Sequence, residues 1–159
     1  MRCNLPGLVI CLILAVVGPA RAVGIAVQGH WTLRPQAADL LPGPGLNHPS
    51  TYESDPGDFT IVVYGAAANT GQWRVEVRRD DASWDSHLTL WARRVGDGMG
   101  FGQVAGGQAY QPVTGVEGAF FAGAGDRSSI TLQFKLTGLS ALVPAGTYAA
   151  NLIFTVVNN

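Results

Sequence analysis

Apolar and polar residues alternate with a period of two along most of this chain, and a helical period of 3.6 residues is nearly absent. The clearest example is the segment 72–78, in which Trp73, Val75 and Val77 occupy every second position with polar or charged residues between them. Side chains of a strand point alternately to the two faces of its sheet. The segment therefore predicts an antiparallel strand with one buried and one solvated face.

The same alternation predicts about seven or eight strands in all. Besides 72–78, the predicted strands are 25–33, 59–64, 87–94, 129–136 and 148–157, with short edge strands at 110–113 and 119–121. Turns rich in Gly and Pro separate them, and the turn Asn69-Thr70-Gly71 is expected to join two of them as a hairpin. These features predict an all-β protein, a single antiparallel β-sandwich that is immunoglobulin-like or pilin-like, with a barrel as the alternative.

The first 22 residues have the pattern of a secretory signal peptide. Arg2 precedes an apolar run, and the sequence Ala20-Arg21-Ala22 provides a small-x-small cleavage site. We expect cleavage after Ala22, which leaves one domain of residues 23–159, secreted to the periplasm or the outside of the cell. The apolar run is shorter than the ~20 residues that a membrane-spanning helix needs, so no membrane span is expected after cleavage.

Composition narrows the range of partners. Both cysteines, Cys3 and Cys11, fall within the predicted signal peptide, so we expect the mature domain to fold without a disulfide. Charged residues make up 13% of the chain, well below the usual quarter, and no basic stripe or charge block occurs. Nucleic acid is therefore not an expected partner. A surface with so little charge is typical of assembled or surface-bound proteins.

No pattern of residues indicates an enzyme. The chain lacks a G-x-S-x-G motif, and the predicted mature domain has no cysteine nucleophile. His30, His48 and His87 are the only histidines, and nothing in their spacing pairs one of them with a nucleophile, because such a pair is assembled by the fold. We therefore expect no enzymatic activity and no cofactor.

One weak metal candidate stands out. Asp80, Asp81 and Asp85 cluster in what the alternation predicts to be a hairpin loop, and carboxylate oxygens at that density bind calcium in some proteins. The spacing does not match an EF-hand loop, and a solvated turn is the commoner structure for such a cluster.

A candidate binding surface involves two tryptophans. Alternation places Trp91 on the outward face of its strand together with Arg93, and Arg74 lies nearby if this strand pairs with the strand of residues 72–78. Trp84, close by in sequence, adds a second aromatic ring. Exposed aromatic and arginine side chains anchor carbohydrate and protein interfaces, whereas a Trp covered by a loop or by a cation–π contact is the structural alternative.

The first strand of the predicted mature domain is a candidate for assembly. Its alternating residues are Ile25, Val27, Trp31 and Leu33, and Gly29 leaves a gap in that row. An alternating strand at a free chain end can add to the sheet of a neighbouring molecule. The alternative is an ordinary first strand that pairs within its own sandwich.

The C-terminal turn and strand resemble those of a known group of proteins. The turn 144–148 (PAGTY) followed by the apolar segment 152–157 (LIFTVV) resembles the closing strand of secreted fimbrial and spore-coat-protein-U-like β-sandwiches. The sequence lacks the cysteine pair common in those subunits. The resemblance implies a surface subunit that polymerises with itself or with other surface proteins. We therefore expect a non-enzymatic, self-assembling structural protein, with an extracellular carbohydrate-binding module as the alternative.

Overall fold

The structure is a computed structural model, which describes residues 22–42, 48–66, 70–140 and 142–159. Within these ranges, three residues are described by their backbone alone: Ala37, Asp81 and Ala82. The predicted signal peptide, except for Ala22, lies outside the described residues, and so do both cysteines.

Within this described part, the protein is almost entirely β-structure. Its strands are β1 (Gly24–Gly29), β2 (Thr51–Glu53), β3 (Phe59–Tyr64), β4 (Gln72–Ser83), β5 (Thr89–Arg94), β6 (Met99–Gly100), β7 (Val104–Gly106), β8 (Gln111–Pro112), β9 (Gly118–Ala124), β10 (Arg127–Thr137) and β11 (Ala149–Asn158). The only helix described is a single 3₁₀ turn at Ala37–Asp39. No helix among these residues is long and apolar enough to cross a membrane.

The strands form two antiparallel sheets that pack face to face, which confirms the predicted all-β sandwich. Sheet I has the order β1-β3-β10-β5-β8, and β2 and β6 also pair with β10. Sheet II has the order β11-β4-β9-β7. Along the chain, the strands of sheet II come one at a time between strands of sheet I or after the last of them: β4 follows β3, β7 follows β6, β9 follows β8 and β11 follows β10. Most hydrogen-bonded neighbours are therefore distant in sequence.

The alternating apolar residues fill the space between the sheets. The predicted face of β4 is buried as expected, with Trp73 and Val75 fully shielded from solvent and Val77 nearly so. The indole nitrogen of Trp73 donates to the carbonyl oxygen of Gly125 at 2.7 Å, and its ring meets Phe121 edge to face at 6.1 Å between centroids. The hydrogen bond satisfies the one polar atom of Trp73, so the whole side chain is buried without an unpaired donor.

Two buried arginines hold the glycine-rich segment that follows β5. Arg94 forms an ion pair with Asp97 and donates to the carbonyl of Gly106 at 3.0 Å. Arg127 donates to the carbonyls of Asp97, Gly98 and Gly102. Burial, with the nearby charge of Arg127, lowers the pKa of Arg94. The loop carbonyls thus act as partners for two guanidinium groups that lie inside the fold.

The first strand is shorter than the sequence predicts. β1 ends at Gly29, so Trp31 and Leu33 lie beyond it. Gly29 has a φ of 135°, and a Cβ at this position would lie 2.3 Å from the carbonyl oxygen of Asp58. Only glycine fits this close approach to the start of β3. β1 ends at this glycine, so the alternating apolar residues beyond it are not part of the strand.

Two predicted hairpins are wrong, because the strands on either side of each turn lie in different sheets. The turn containing Thr70 and Gly71 connects β3 of sheet I to β4 of sheet II, and Asn69 lies outside the described residues. β4 also continues to Ser83, since β11 pairs with it as far as Ala149. Asp80 and Asp81 therefore belong to a strand rather than to a loop.

A predicted edge strand is also placed differently. The segment 119–121 lies within β9, which pairs with β4 on one side and with β7 on the other. The sequence does not reveal the strand β7 on the far side of β9, because three residues are too few to show an alternation of apolar and polar positions.

The packing of Trp73 against β9 gives a testable prediction. A Cβ on Gly123 would lie 2.5 Å from the Trp73 ring, whereas a Cβ on Gly118 of the same strand would meet nothing within 4 Å. We expect Gly123→Ala to lower the free energy of unfolding by ~1–3 kcal/mol through overpacking. Gly118→Ala is the matched control and is expected to change it little; urea denaturation of the two variants measures the difference. Equal effects would contradict the packing described for Trp73.

Candidate functional site

The proposed assembly strand is paired within its own sheet. β1 lies antiparallel to β3 over all six of its residues, with Ile25 opposite Val63 and Val27 opposite Ile61. Both of these β3 residues are fully buried. Ile25 packs against the core, whereas Val27 remains 39% exposed. β1 therefore covers one side of the core while keeping part of its own surface in solvent.

The remaining residues of the predicted assembly strand follow β1. Trp31 is half-buried and packs against the core, and Leu33 is also half-buried. Gly29 leaves no pocket, because the backbone of Asp58 and Phe59 fills the space a side chain would occupy. The apolar row thus continues past the end of the strand as a packed but unpaired segment.

β1 and β11 are the outermost strands of their sheets, and they lie next to each other on one side of the sandwich. Neither strand contains a charged residue or a proline: their sequences are GIAVQG and AANLIFTVVN. The described residues include no strand that pairs with the outer edge of either one. We call this side the open edge; its unpaired backbone groups are suited to pairing with another chain.

The opposite side of the sandwich is built differently. Its outer strands are β8, with only two residues and Pro112 among them, and β7, with three residues ending at Gly106. Short length and proline are two devices by which proteins prevent strand addition at an edge. Strand addition is therefore favoured on one side only.

A second feature lies on the outer face of sheet I, which we call the aromatic–basic patch. It consists of Trp91, Arg93, Tyr110 and Lys135. The Lys135 ammonium nitrogen lies 5.2 Å from the Trp91 ring centroid and 4.1 Å from that of Tyr110. The Arg93 guanidinium lies 4.7 Å from the Tyr110 centroid. These distances are those of cation–π contacts, and all four side chains are half-buried.

Gln133, a buried residue of β10, fixes the position of Arg93 in this patch by hydrogen bonds. Its side-chain oxygen accepts two hydrogen bonds from Arg93, at 3.0 and 2.7 Å. Its amide group donates to Glu53 at 3.3 Å and to the carbonyl of Ser54 at 2.8 Å. Gln133 is 5% exposed, so these bonds are shielded from water and fix the direction of the Arg93 side chain.

The Tyr110 hydroxyl is buried beside the patch without a hydrogen-bond partner among the described residues. Burial raises the pKa of Tyr110, and the negative charge of Glu53 raises it further, while Arg93 opposes this shift. Glu53 and Arg93 thus lie near enough to the hydroxyl to shift its pKa in opposite directions.

The structure brings together only two of the four predicted surface residues. Trp91 and Arg93 share the patch, because β5 pairs with β10 and β8 rather than with β4. Arg74 lies in sheet II, in an ion pair with Glu76 at 2.6 Å. Trp84 packs against the core and donates to the carbonyl of Leu88 at 2.8 Å. Trp91 therefore lies on the outer face of sheet I, whereas Trp84 lies in the connection between β4 and β5, with the Arg79 guanidinium 4.5 Å from its ring centroid.

Sequence reasoning missed Tyr110 and Lys135 as members of the patch, and Gln133 and Glu53 as the residues that support it. Alternation places Gln133 and Lys135 on the outer face of β10, yet nothing in it shows that β10 lies beside β5. Their contact depends on a register, Lys135 opposite Trp91, that joins strands more than 40 residues apart. Only the fold supplies that register.

The acidic cluster is not assembled into a metal site in the described part of the chain. Asp80 is exposed in β4, and the side chain of Asp81 lies outside the description. Asp85 accepts hydrogen bonds from the backbone and ring nitrogens of His87, at 2.8 and 2.7 Å, and these bonds lower the pKa of Asp85. No group of three or more His, Cys, Asp or Glu residues with metal-binding geometry occurs among the described residues.

Two of the three histidines line a shallow cavity. His48 and His87 lie there with Ser50 and Ser140, in a volume of about 430 Å³. Among the described residues, the ring of His87 bonds to Asp85 and to no serine hydroxyl, and His30 is exposed beyond β1. The ring of His48 bonds to the Tyr52 hydroxyl at 3.1 Å.

The unpaired hydroxyl of Tyr110 predicts the effect of its removal. We expect Tyr110→Phe to raise the free energy of unfolding at pH 7 by ~1 kcal/mol, because a buried, unsatisfied polar group is lost. Tyr64→Phe, at a tyrosine that is 52% exposed, is the control and is expected to be neutral. A destabilised Tyr110→Phe variant in urea denaturation would show that the hydroxyl has a partner.

The raised pKa of Tyr110 predicts a change at alkaline pH. Its folded-state pKa lies above the ordinary value of 10.0, so the unfolded chain loses this proton first. Stability is then fully present below pH 10 and falls as the pH rises beyond it. Thermal unfolding between pH 8 and pH 11 is expected to show a smaller alkaline loss in Tyr110→Phe than in the parent protein.

Comparisons of the chain with family models, with curated proteins and with solved structures return no match. The resemblance of the C-terminal turn and strand to fimbrial subunits therefore stays a prediction. The open edge and the aromatic–basic patch are therefore described from the contacts and strand order of this chain alone.

Proposed function

We propose that this protein is a non-enzymatic, secreted structural subunit that assembles into a filament or matrix by exchanging β1 between copies. The observation that carries the proposal is the place of β1 in the sandwich. β1 is an outermost strand of sheet I, contains no charge or proline, and pairs along all six of its residues with β3, its one partner among the described strands. Its place along β3 can therefore be filled by β1 of another copy without disturbing any other strand.

Exchange of β1 preserves every contact that the strand makes. In the single copy, β1 pairs along β3 and covers the buried residues Ile61 and Val63. When β1 of another copy occupies the same place, the same hydrogen bonds and apolar contacts form between molecules. The free energy of the paired strand is then nearly unchanged, so a high local concentration favours assembly.

The connection that follows β1 is long enough for exchange. Twenty-one residues, 30–50, separate Gly29 from Thr51, and an extended chain spans up to ~3.3–3.6 Å per residue. In the described part of this connection, the only regular structure is the 3₁₀ turn at Ala37–Asp39. β1 can therefore reach a neighbour while the core strands keep their places.

The sequence supports a location outside the cytoplasm. The signal-peptide pattern ends at Ala22, two residues before β1 begins at Gly24. Cleavage there makes β1 a free chain end, which an exchanged strand requires. The C-terminal resemblance to fimbrial subunits supports the same class of function.

A disulfide that locks β1 in its own sheet tests the proposal. Ala26 and Val62 are directly opposed on the outer face, so their Cα atoms lie about 4.5–5.5 Å apart, within the range that a disulfide bridges. We expect the Ala26→Cys/Val62→Cys protein, starting at Val23, to remain monomeric when oxidised. Its assembly should return on reduction, as followed by light scattering and electron microscopy.

The matched control places the disulfide between two strands that do not exchange. Thr60→Cys/Thr131→Cys joins the opposed residues of β3 and β10 and is expected to leave assembly unchanged in both redox states. If the oxidised Ala26→Cys/Val62→Cys protein still assembles like the parent, β1 exchange is not the mechanism. A parent protein that stays monomeric at high concentration would also contradict the proposal.

A further inference from the structure

We propose that the aromatic–basic patch binds an acidic polysaccharide, specifically a polymer of uronic acid sugars. The proposal concerns Trp91, Arg93 and Lys135 on the outer face of sheet I, away from the open edge strand β1. It does not rest on strand exchange, and each proposal can fail without the other.

The charge of the patch is not neutralised by the protein. In the part of the chain that the structure describes, neither Arg93 nor Lys135 has a carboxylate within 4.0 Å. Glu53 of β2 lies opposite Lys135 of β10 in the register. The Glu53 carboxylate accepts a hydrogen bond from the side-chain amide of Gln133. Two cations beside one acid give this face a net positive charge, which an anionic ligand would complement.

The two cations also have hydrogen-bond donors to spare. A guanidinium carries five N–H groups, and an ammonium three. Arg93 uses two of its nitrogens on Gln133, and Lys135 contacts only the rings of Trp91 and Tyr110 in the described structure. The remaining donors suit carboxylate and hydroxyl oxygens, which alternate along a uronic acid polymer.

The aromatic rings supply the apolar part of such a site. Sugar rings have C–H faces that pack on half-exposed aromatic side chains, and Trp91 and Tyr110 are both half-buried on this face. Trp91 is fixed by a hydrogen bond from its indole nitrogen to the Thr137 hydroxyl at 2.9 Å. Beside it on the same face, Thr89 of β5 lies opposite Thr137 of β10 and adds hydroxyl groups.

The patch is organised before any ligand binds. Gln133, nearly fully buried, holds Arg93 by two hydrogen bonds and is itself held by Glu53 and Ser54. A donor held in place loses less conformational freedom on binding than a mobile surface side chain does. This support distinguishes Arg93 from an ordinary solvated arginine.

Binding of polygalacturonate to the protein starting at Val23 tests the proposal, with dextran as a neutral polymer and galacturonate as a single sugar unit. We expect calorimetry and quenching of tryptophan fluorescence to detect polygalacturonate but not dextran, with weaker binding of galacturonate. Binding should weaken as salt is added, because the attraction is largely electrostatic. Lys135→Gln and Arg93→Gln should each weaken binding about tenfold or more, as loss of a charge-assisted hydrogen bond predicts.

Two further variants make the result specific. Lys135→Arg keeps the charge and is expected to keep binding, whereas Arg74→Gln removes an arginine from sheet II and is expected to have no effect. Thermal unfolding of each variant checks that the fold is retained. The proposal is overturned if polygalacturonate does not bind, if dextran binds as well, or if Arg74→Gln weakens binding as much as Arg93→Gln. It is also overturned if the patch substitutions abolish self-assembly of the ligand-free protein, because the patch is then a contact between copies.

Discussion

The ladder between β1 and β3 is the interaction on which the account of this protein depends. Ile61 and Val63 are fully buried, and β1 supplies the opposing backbone and the apolar cover of Ile25 and Val27 on that side. A strand that covers buried residues and lies at the edge of its sheet can be supplied by its own chain or by another copy. In the proposed assembly, folding stability and strand exchange therefore depend on the same set of contacts.

β10 connects the core to the outer surface. Its inward residues Leu132 and Phe134 are buried between the sheets. Of the residues that alternate with them, Lys135 belongs to the aromatic–basic patch and Gln133 supports it by bonding to Arg93. Because a strand presents alternate residues to its two faces, the packing that fixes Phe134 also fixes the direction of its neighbours. The patch thus has the rigidity of the sheet, although its side chains are only half-buried.

The sequence predicted local features well and long-range ones poorly. The bounds of β3 agree with the prediction, and Trp73, Val75 and Val77 share the buried face that alternation assigns them. Pairing partners were missed, because alternation shows which way a side chain points but not which strand lies beside it. A pairing of the Trp91 strand with the strand of residues 72–78 would place Trp91 near Arg74, but β5 pairs with β10, so Trp91 lies beside Lys135.

Mixing two single-cysteine proteins tests strand exchange most directly. One carries Ala26→Cys in β1 and the other Val62→Cys in β3, at positions directly opposed in the register. In an exchanged assembly, β1 of one copy lies on β3 of another, so oxidation should produce covalent heterodimers that contain one copy of each. Assemblies that yield only homodimers, or no covalent dimers, would show that β1 stays in its own sheet and would contradict the account.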